Sequence, residues 1–135
     1  MLITEFDIQI HRRTPNPNPI RDALQALPGA GSVEVTLTAA EAIRRGRAFE
    51  ALGCAWWEEP IPTDDIDGYA ALTRALDIPI ATGENLYSAA DFARFLKREA
   101  VDIVQPDLRR AGGPTALLQI GALADAFRIP YASHG

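Results

Sequence analysis

The sequence predicts an α/β fold with parallel strands, because strand-like segments alternate with helical segments of about 10 to 15 residues. Residues that favour helix boundaries, such as a capping threonine and a following glycine, stand between these segments. Ionisable residues also recur at the points where successive strands end. Parallel strands require helical crossovers of this length, and such crossovers are right-handed.

The first third of the chain contains one strand, one linker and one helix. Residues 2–10 roughly alternate between apolar and polar side chains, which is the period of a half-buried strand. Residues 14–19, TPNPNP, are typical of a linker or turn. Residues 20–27 place their apolar side chains on one helical face, and a Pro-Gly pair ends that helix.

A regular rhythm of strands and helices begins at residue 32. Thr38 and Glu41 form a T-x-x-E capping box at the start of one helix, and Gly53 is its expected C-cap. The remaining elements follow from periodicity and from turn residues. Strands are predicted over residues 32–37, up to 58, 78–82, 101–105 and 129–133, and helices over 38–52, 65–76, 89–98 and 114–127.

Composition excludes several classes of function. The chain has 135 residues, 47% of them hydrophobic, and a net charge of -5 without any long Lys/Arg run, so no nucleic acid partner is expected. No apolar stretch approaches the ~20 residues that span a bilayer, so no membrane association is expected. The single cysteine, Cys54, is expected to fill a buried apolar position and indicates a reducing, cytoplasmic location.

Four ionisable residues stand at the ends of successive predicted strands. They are separated by 26, 23 and 27 residues along the chain, and they are Glu58, Glu84, Asp107 and His134. In a parallel α/β barrel the carboxyl ends of the strands open onto one face, which holds the active site. Carboxylates at adjacent strand ends can share a hard cation such as Mg²⁺. An Asp beside a His is a proton-transfer pair.

Four motifs in this order resemble the mandelate racemase and sugar-acid dehydratase branch of the enolase superfamily. The resemblance runs from about Thr38 to Gly135, and it implies a partial TIM-type (β/α) barrel of about five parallel βα units. Residues 20–135 would be this barrel domain, and residues 1–19 a leading strand of a remnant capping domain with its linker. The motifs are WWEEP (56–60), TGEN (82–85), the VDIVQPD…GG run (101–113) and the terminal SHG.

The resemblance also implies roles for these residues. Glu58 and Glu84 would be Mg²⁺ ligands, and Asp107 would orient His134 as general base or acid. Glu59 and Asn85 are candidates for contacts near the metal or substrate, although Glu59 is equally well read as a solvated or salt-bridged side chain. The family removes the proton α to a carboxylate, which implies a small carboxylate substrate such as a sugar acid. Dehydration of a sugar acid is the favoured reaction, and racemisation of a hydroxy acid is the other.

The sequence departs from the family pattern in ways that favour a second hypothesis. Ser32 stands where the family has its first carboxylate ligand, which leaves Glu34 as a candidate replacement ligand. The family's Lys-x-Lys pair is absent, and five strands cannot close a barrel of eight. The chain is therefore either a Mg²⁺-dependent lyase or isomerase, or a catalytically silent barrel fragment or assembly module. A homo-oligomer that completes the barrel is a further expectation.

A small doubly wound domain of the flavodoxin kind would also alternate strands and helices, but the sequence lacks a phosphate-binding loop and this fold leaves the strand-end acids unexplained. Arg109 and Arg110 are expected at the exposed surface, and Trp56 and Trp57 are expected to pack rather than to contact substrate.

Overall fold

The computed structural model describes residues 37–134, together with the backbone of residues 10–12. The alternation predicted between residues 38 and 127 is confirmed, and no helix end differs from its predicted position by more than one residue. In chain order the elements are β1 (Ile10–Arg12), α1 (Ala39–Ala51), β2 (Cys54–Glu58), α2 (Ile66–Ala75), β3 (Ile80–Thr82), α3 (Ala89–Lys97), β4 (Ile103–Val104) and α4 (Pro114–Ala126).

The sheet has four strands in the order β1-β2-β3-β4. β2, β3 and β4 are parallel, as predicted, and their register pairs Glu58 with Ala81 and Thr82 with Val104. β1 pairs with β2 in the antiparallel direction. The carboxyl ends of the three parallel strands therefore lie at the same edge, as expected for a partial (β/α) barrel.

The strand predicted over residues 129–133 is not a regular strand. It forms only two isolated parallel bridges, one between Val104 and Tyr131 and one between Asp107 and His134. Pro106 and Pro130 have no backbone N–H to donate, so the ladder at this edge is interrupted. The predicted direction of the segment is right, and its predicted regularity is wrong.

Several predictions lie outside the described residues. These are the linker at 14–19, the helix at 20–27, nearly all of the strand at 32–37, and the division between residues 1–19 and 20–135. The strand predicted over residues 2–10 overlaps β1 at one residue only. Within the described part of the chain, no helix has both the length and the apolar character needed to cross a bilayer.

Side-chain caps fix where the helices begin. Thr38 accepts a hydrogen bond from the backbone N–H of Glu41 at 3.3 Å, which is half of the predicted capping box. The carboxylate of Glu41 pairs instead with Arg45, at 2.9 Å. Gly53, with φ of 68°, follows the helix in the left-handed conformation that ends many helices. The helix ends that Thr38 and Gly53 signal are thus confirmed, whereas the part of the capping box predicted for Glu41 is not.

Aromatic side chains form much of the core between the sheet and the helices. Phe49 on α1 meets Trp57 on β2 edge to face, with ring centroids 4.8 Å apart. Tyr69 on α2 and Phe95 on α3 meet in the same way at 5.2 Å. Edge-to-face pairs of this kind add about 0.5–1.5 kcal/mol beyond the burial of area. Trp57 is buried, as expected of a packing residue, and Cys54 is buried too.

The carboxylate of Glu59 joins the carboxyl ends of β2 and β3. One of its oxygens accepts hydrogen bonds from the backbone N–H groups of Gly83 and Asn85 and from the hydroxyl of Thr82, at 3.2–3.3 Å. The other accepts from the amide group of Asn85. Glu59 has φ of 41°, a conformation that non-glycine residues rarely adopt. This side chain therefore holds the loop on which Glu84 stands.

A glycine allows the ends of β3 and β4 to approach closely. A Cβ atom on Gly83 would lie 2.6 Å from the carbonyl carbon of Gln105, and the φ of Gly83 is 149°. Only glycine avoids this clash at this backbone conformation. The TGEN motif therefore contains a glycine because the next strand lies directly against it.

We predict that Asp102→Asn stabilises the chain at neutral pH. Asp102 accepts a hydrogen bond from the backbone N–H of Ile80 at 2.9 Å, and burial raises its pKa above the ordinary 3.8 although that hydrogen bond opposes the change. The folded chain thus binds the proton of the Asp102 carboxyl group more tightly than the unfolded chain does. The free energy of unfolding therefore falls as pH rises from 3.8 towards the folded-state pKa of Asp102. Asparagine keeps an acceptor oxygen without the charge.

The measurement is the free energy of unfolding in urea at pH 7 and at pH 3.5. The advantage of Asp102→Asn is expected at pH 7 and lost at pH 3.5, where the wild-type carboxyl is protonated. Asp77→Asn is the control, because the side chain of Asp77 is 98% exposed and should show no such difference. Equal stability of Asp102→Asn and wild type at pH 7 would contradict the prediction.

We predict that Glu59→Ala destabilises the chain by about 2–3 kcal/mol, because it leaves the donors of Gly83 and Asn85 without their charged acceptor. Glu59→Gln keeps one acceptor oxygen and should lose less. Urea unfolding monitored by tryptophan fluorescence measures both variants. Wild-type stability of Glu59→Ala would show that the carboxylate does not hold the loop.

Candidate metal and proton-transfer site

Three of the strand-end residues come together at the carboxyl edge of the sheet. Glu58 is the last residue of β2, Glu84 lies in the loop after β3, and His134 lies in the bridged segment beside β4. Each offers one ligand atom, and these atoms all lie within 4.8 Å of one another. Residues that are regularly spaced along the chain therefore lie close together in the fold, because each βα unit brings its strand end to the same edge.

The imidazole of His134 faces acidic side chains through both of its nitrogens. Its Nδ1 atom lies 3.5 Å from Oδ2 of Asp107. Its Nε2 atom lies 3.4 Å from a carboxylate oxygen of Glu84 and 3.9 Å from one of Glu58. The tautomer with its proton on Nδ1 donates to Asp107, which leaves the Nε2 lone pair directed at the acid pair.

Asp107 is held as an ionised carboxylate beside the Nδ1 atom of His134. Its Oδ1 atom accepts hydrogen bonds from the backbone N–H groups of Arg110, at 3.0 Å, and of Arg109, at 2.8 Å. The hydrogen bond from the Arg110 N–H is the largest influence that lowers the pKa of Asp107 below its usual value, and the Arg109 N–H and His134 lower it further. A fixed negative charge here orients the imidazole and stabilises its protonated form.

Arg110 contacts the site although its side chain is partly exposed. One guanidinium nitrogen lies 3.3 Å from a carboxylate oxygen of Glu84, and the other terminal nitrogen donates to the amide oxygen of Asn85. The expected surface position is thus correct, but the sequence did not indicate this pairing. A basic residue three positions after Asp107 was the available signal. Asn85 lies between Glu59 and Arg110 and contacts both.

Gln105 is a second contact that the sequence analysis missed. Its Nε2 atom donates to Oε2 of Glu58 at 3.4 Å, and both side chains are buried. The amide oxygen of Gln105 has no hydrogen-bond partner among residues 10–12 and 37–134. A polar residue directly after the strand-like VDIV segment was the signal in the sequence.

The donor set fits a hard divalent cation. Glu58 and Glu84 supply carboxylate oxygens, which Mg²⁺ prefers, and Mg²⁺ commonly keeps waters or substrate oxygens in its other positions. Imidazole nitrogen is a poorer ligand for Mg²⁺, which suits His134 to proton transfer instead. Ser32 and the candidate ligand Glu34 lie outside the described residues.

Comparison with known proteins identifies the family. The family profile described as "Enolase C-terminal domain-like" matches residues 20–135. The chain is 47% identical over 83 residues to the L-talarate/galactarate dehydratase of Salmonella typhimurium, which covers 62% of the chain and 21% of that enzyme. It is 39% identical over 94 residues to the arabinonate dehydratase of Saccharolobus solfataricus, which covers 70% of the chain and 25% of that enzyme.

Solved structures agree with this assignment. The L-talarate dehydratase of Polaromonas sp. JS666, crystallised with Mg and L-glucarate, superposes with a TM-score of 0.71 and 39% identity over 73% of the chain and 28% of that protein. A racemase from Streptomyces coelicolor with bound magnesium superposes with a TM-score of 0.74 and 30% identity over 90% of the chain and 40% of that protein.

The chain spans about a quarter of the length of the curated relatives that it matches. The resemblance drawn from the four motifs is confirmed, since the profile match extends across the whole predicted barrel segment. Its relatives are sugar-acid dehydratases and racemases, and its parallel strands correspond to part of their barrel. The chain belongs to the enolase C-terminal domain-like family of the enolase superfamily.

Proposed function

We propose that this chain carries the metal-binding and proton-transfer part of an enolase-superfamily active site, which removes the proton α to the carboxylate of a sugar acid. The observation that carries the proposal is the cluster of Glu58, Glu84 and His134 within 4.8 Å, with Asp107 behind the histidine. Acidic side chains and an imidazole at one sheet edge suit metal-assisted acid-base chemistry.

Glu58 and Glu84 would hold Mg²⁺ in this proposal. When bound, Mg²⁺ stabilises the negative charge that develops on the substrate carboxylate as the α-proton leaves. Glu58 is well suited because it is buried and its position is fixed by the end of β2. Glu84 is held through its loop by the contacts of Glu59 and through its own pairing with Arg110.

His134 would move the proton. Its Nε2 atom accepts the α-proton, and the charged imidazolium is then stabilised by the carboxylate of Asp107 on the Nδ1 side. In dehydration the same Nε2 proton is delivered to the departing β-hydroxyl, which leaves as water. In racemisation a second acid would instead deliver a proton to the opposite face of the α-carbon, because return of the same proton to the same face only restores the substrate. The dehydratase names of the curated relatives favour dehydration, with a sugar acid as the small carboxylate substrate.

A catalytically silent fragment or assembly module is the competing proposal. It is supported by Ser32, which stands where the family resemblance implies a carboxylate ligand. The matched part of the chain corresponds to 21% and 25% of the length of two curated relatives. The proposed division into a remnant strand at residues 1–19 and a barrel segment at 20–135 belongs to this reading. An assembly module is compatible with the proposed acid-base function if a partner completes the barrel.

A second copy of the chain is the partner that we propose. Among the described residues, none pairs with the outer edge of residues 129–134, and an apolar groove lies next to this edge on α4. Leu118 in this groove is 77% exposed and Tyr131 is 40% exposed. An open parallel edge beside exposed apolar side chains favours association.

Magnesium binding is the first test of the proposed site. We expect the purified chain to bind Mg²⁺ in an isothermal titration, and Glu84→Gln to weaken that binding by roughly tenfold or more, because one charged ligand is lost. Glu99→Gln is the matched control, since Glu99 is an exposed residue outside the cluster. A folded chain that binds no Mg²⁺, or that binds it equally well as Glu84→Gln, would rule out this metal site.

Exchange of the α-proton tests the chemical step separately. With Mg²⁺ and galactarate in D₂O, we expect proton NMR to show loss of the α-proton signal, and His134→Asn to slow it by roughly 100-fold or more. His11→Asn changes the only other histidine of the sequence and serves as the control. Binding of Mg²⁺ without exchange of galactarate, galactonate or arabinonate would favour the silent fragment.

A further inference from the structure

We infer that Gln105 is a positioning residue for the metal site, which holds the carboxylate of Glu58 in the orientation that binds a divalent cation. This inference rests on the proposed function, because it takes Glu58 as a metal ligand. The observations behind it are the hydrogen bond between the two side chains, the hydrogen-bonded backbone of Gln105, and its amide oxygen, which has no partner among the described residues.

The backbone of Gln105 is clamped between two strand ends. Its N–H donates to the carbonyl oxygen of Thr82 at 2.8 Å, and its carbonyl carbon lies where a Cβ on Gly83 would clash. Gln105 follows β4 directly, and its residue is 5% exposed. The side chain therefore starts from a fixed point and has little room to move.

The contact acts on one oxygen of Glu58 and leaves the other for the cluster. Gln105 Nε2 donates to Oε2 of Glu58 at 3.4 Å, whereas Oε1 of Glu58 faces Nε2 of His134 at 3.9 Å. The terminal torsion of a glutamate has a broad energy minimum, so packing alone fixes the plane of its carboxylate poorly. A donor to one oxygen sets that plane and directs the second oxygen into the site.

Burial of the amide oxygen of Gln105 is not offset by a hydrogen bond from any described residue. The Oε1 atom of Gln105 is buried and has no partner among the described residues, and an unpaired buried acceptor destabilises the folded state. The opposite orientation of the amide would bring its oxygen against the carboxylate of Glu58, which is repulsive. An apolar side chain of similar size would avoid both problems. The amide at this position therefore serves the site and not the stability of the fold.

Groups that orient metal ligands typically change metal affinity by 10- to 100-fold when they are removed. The distance of 3.4 Å is long for a hydrogen bond, so the lower end of that range applies. We expect Gln105→Leu to weaken Mg²⁺ binding by roughly tenfold. We expect its thermal midpoint to equal or exceed that of wild type, because the unpaired amide oxygen is gone.

The test is an isothermal titration of Mg²⁺ into the full chain, with a thermal melt of each variant. Gln119→Leu is the matched control, because it makes the same change at an exposed position of α4. Gln105→Met removes the donor with an unbranched side chain and gives the answer if leucine prevents folding. The expected result is weaker binding by Gln105→Leu and Gln105→Met only, without loss of stability.

A double variant separates positioning from a general packing effect. If Gln105 acts through Glu58, then Gln105→Leu added to Glu58→Gln weakens Mg²⁺ binding no further than Glu58→Gln alone. Wild-type affinity in Gln105→Leu, or an additive loss in the double variant, overturns the inference while the metal site stands. A wild-type chain that binds no Mg²⁺ overturns the proposed function and this inference with it.

Discussion

The parallel register of β2, β3 and β4 places the candidate site residues at one edge of the sheet. Glu58 ends β2, and the loop with Glu84 begins one residue after β3, so the two carboxylates meet although 26 residues separate them. Like charges at this separation repel unless a cation or donors offset them. The surrounding loops supply such donors: Gln105 contacts Glu58, and Arg110 contacts Glu84. The parallel topology thus brings two like charges together, and side chains from the neighbouring loop offset their repulsion.

One segment, residues 105–110, contacts all three residues of the cluster. Its first residue contacts Glu58, its third contacts His134, and its last contacts Glu84. It lies between the strand end of β3 and the bridged segment that carries the histidine. The side chains proposed for proton transfer and for metal binding therefore share a common support, so a shift of this segment would move both groups.

The sequence predicted elements well where their signals are local. Thr38 and Gly53 mark both ends of α1, and the four candidate site residues were selected because each stands at the end of a segment with strand-like composition. The strand at 129–133 was overpredicted, because local composition favours β structure but prolines interrupt the hydrogen-bond ladder. Gln105 was missed because its partner is 47 residues away. Contacts of this kind depend on the register between strands, which no local pattern specifies.

His134 and Asp107 are linked twice, once by the bridge between their backbones and once by their side chains. A strand shifted by a single residue turns its side chains to the opposite face. Such a slip at this edge would separate the imidazole of His134 from Asp107 and from the carboxylate pair in one step. Among the described residues, the two-residue β4 and the two isolated bridges supply the backbone pairing at this edge. A neighbour that pairs with the edge would therefore also influence whether the proposed site is assembled.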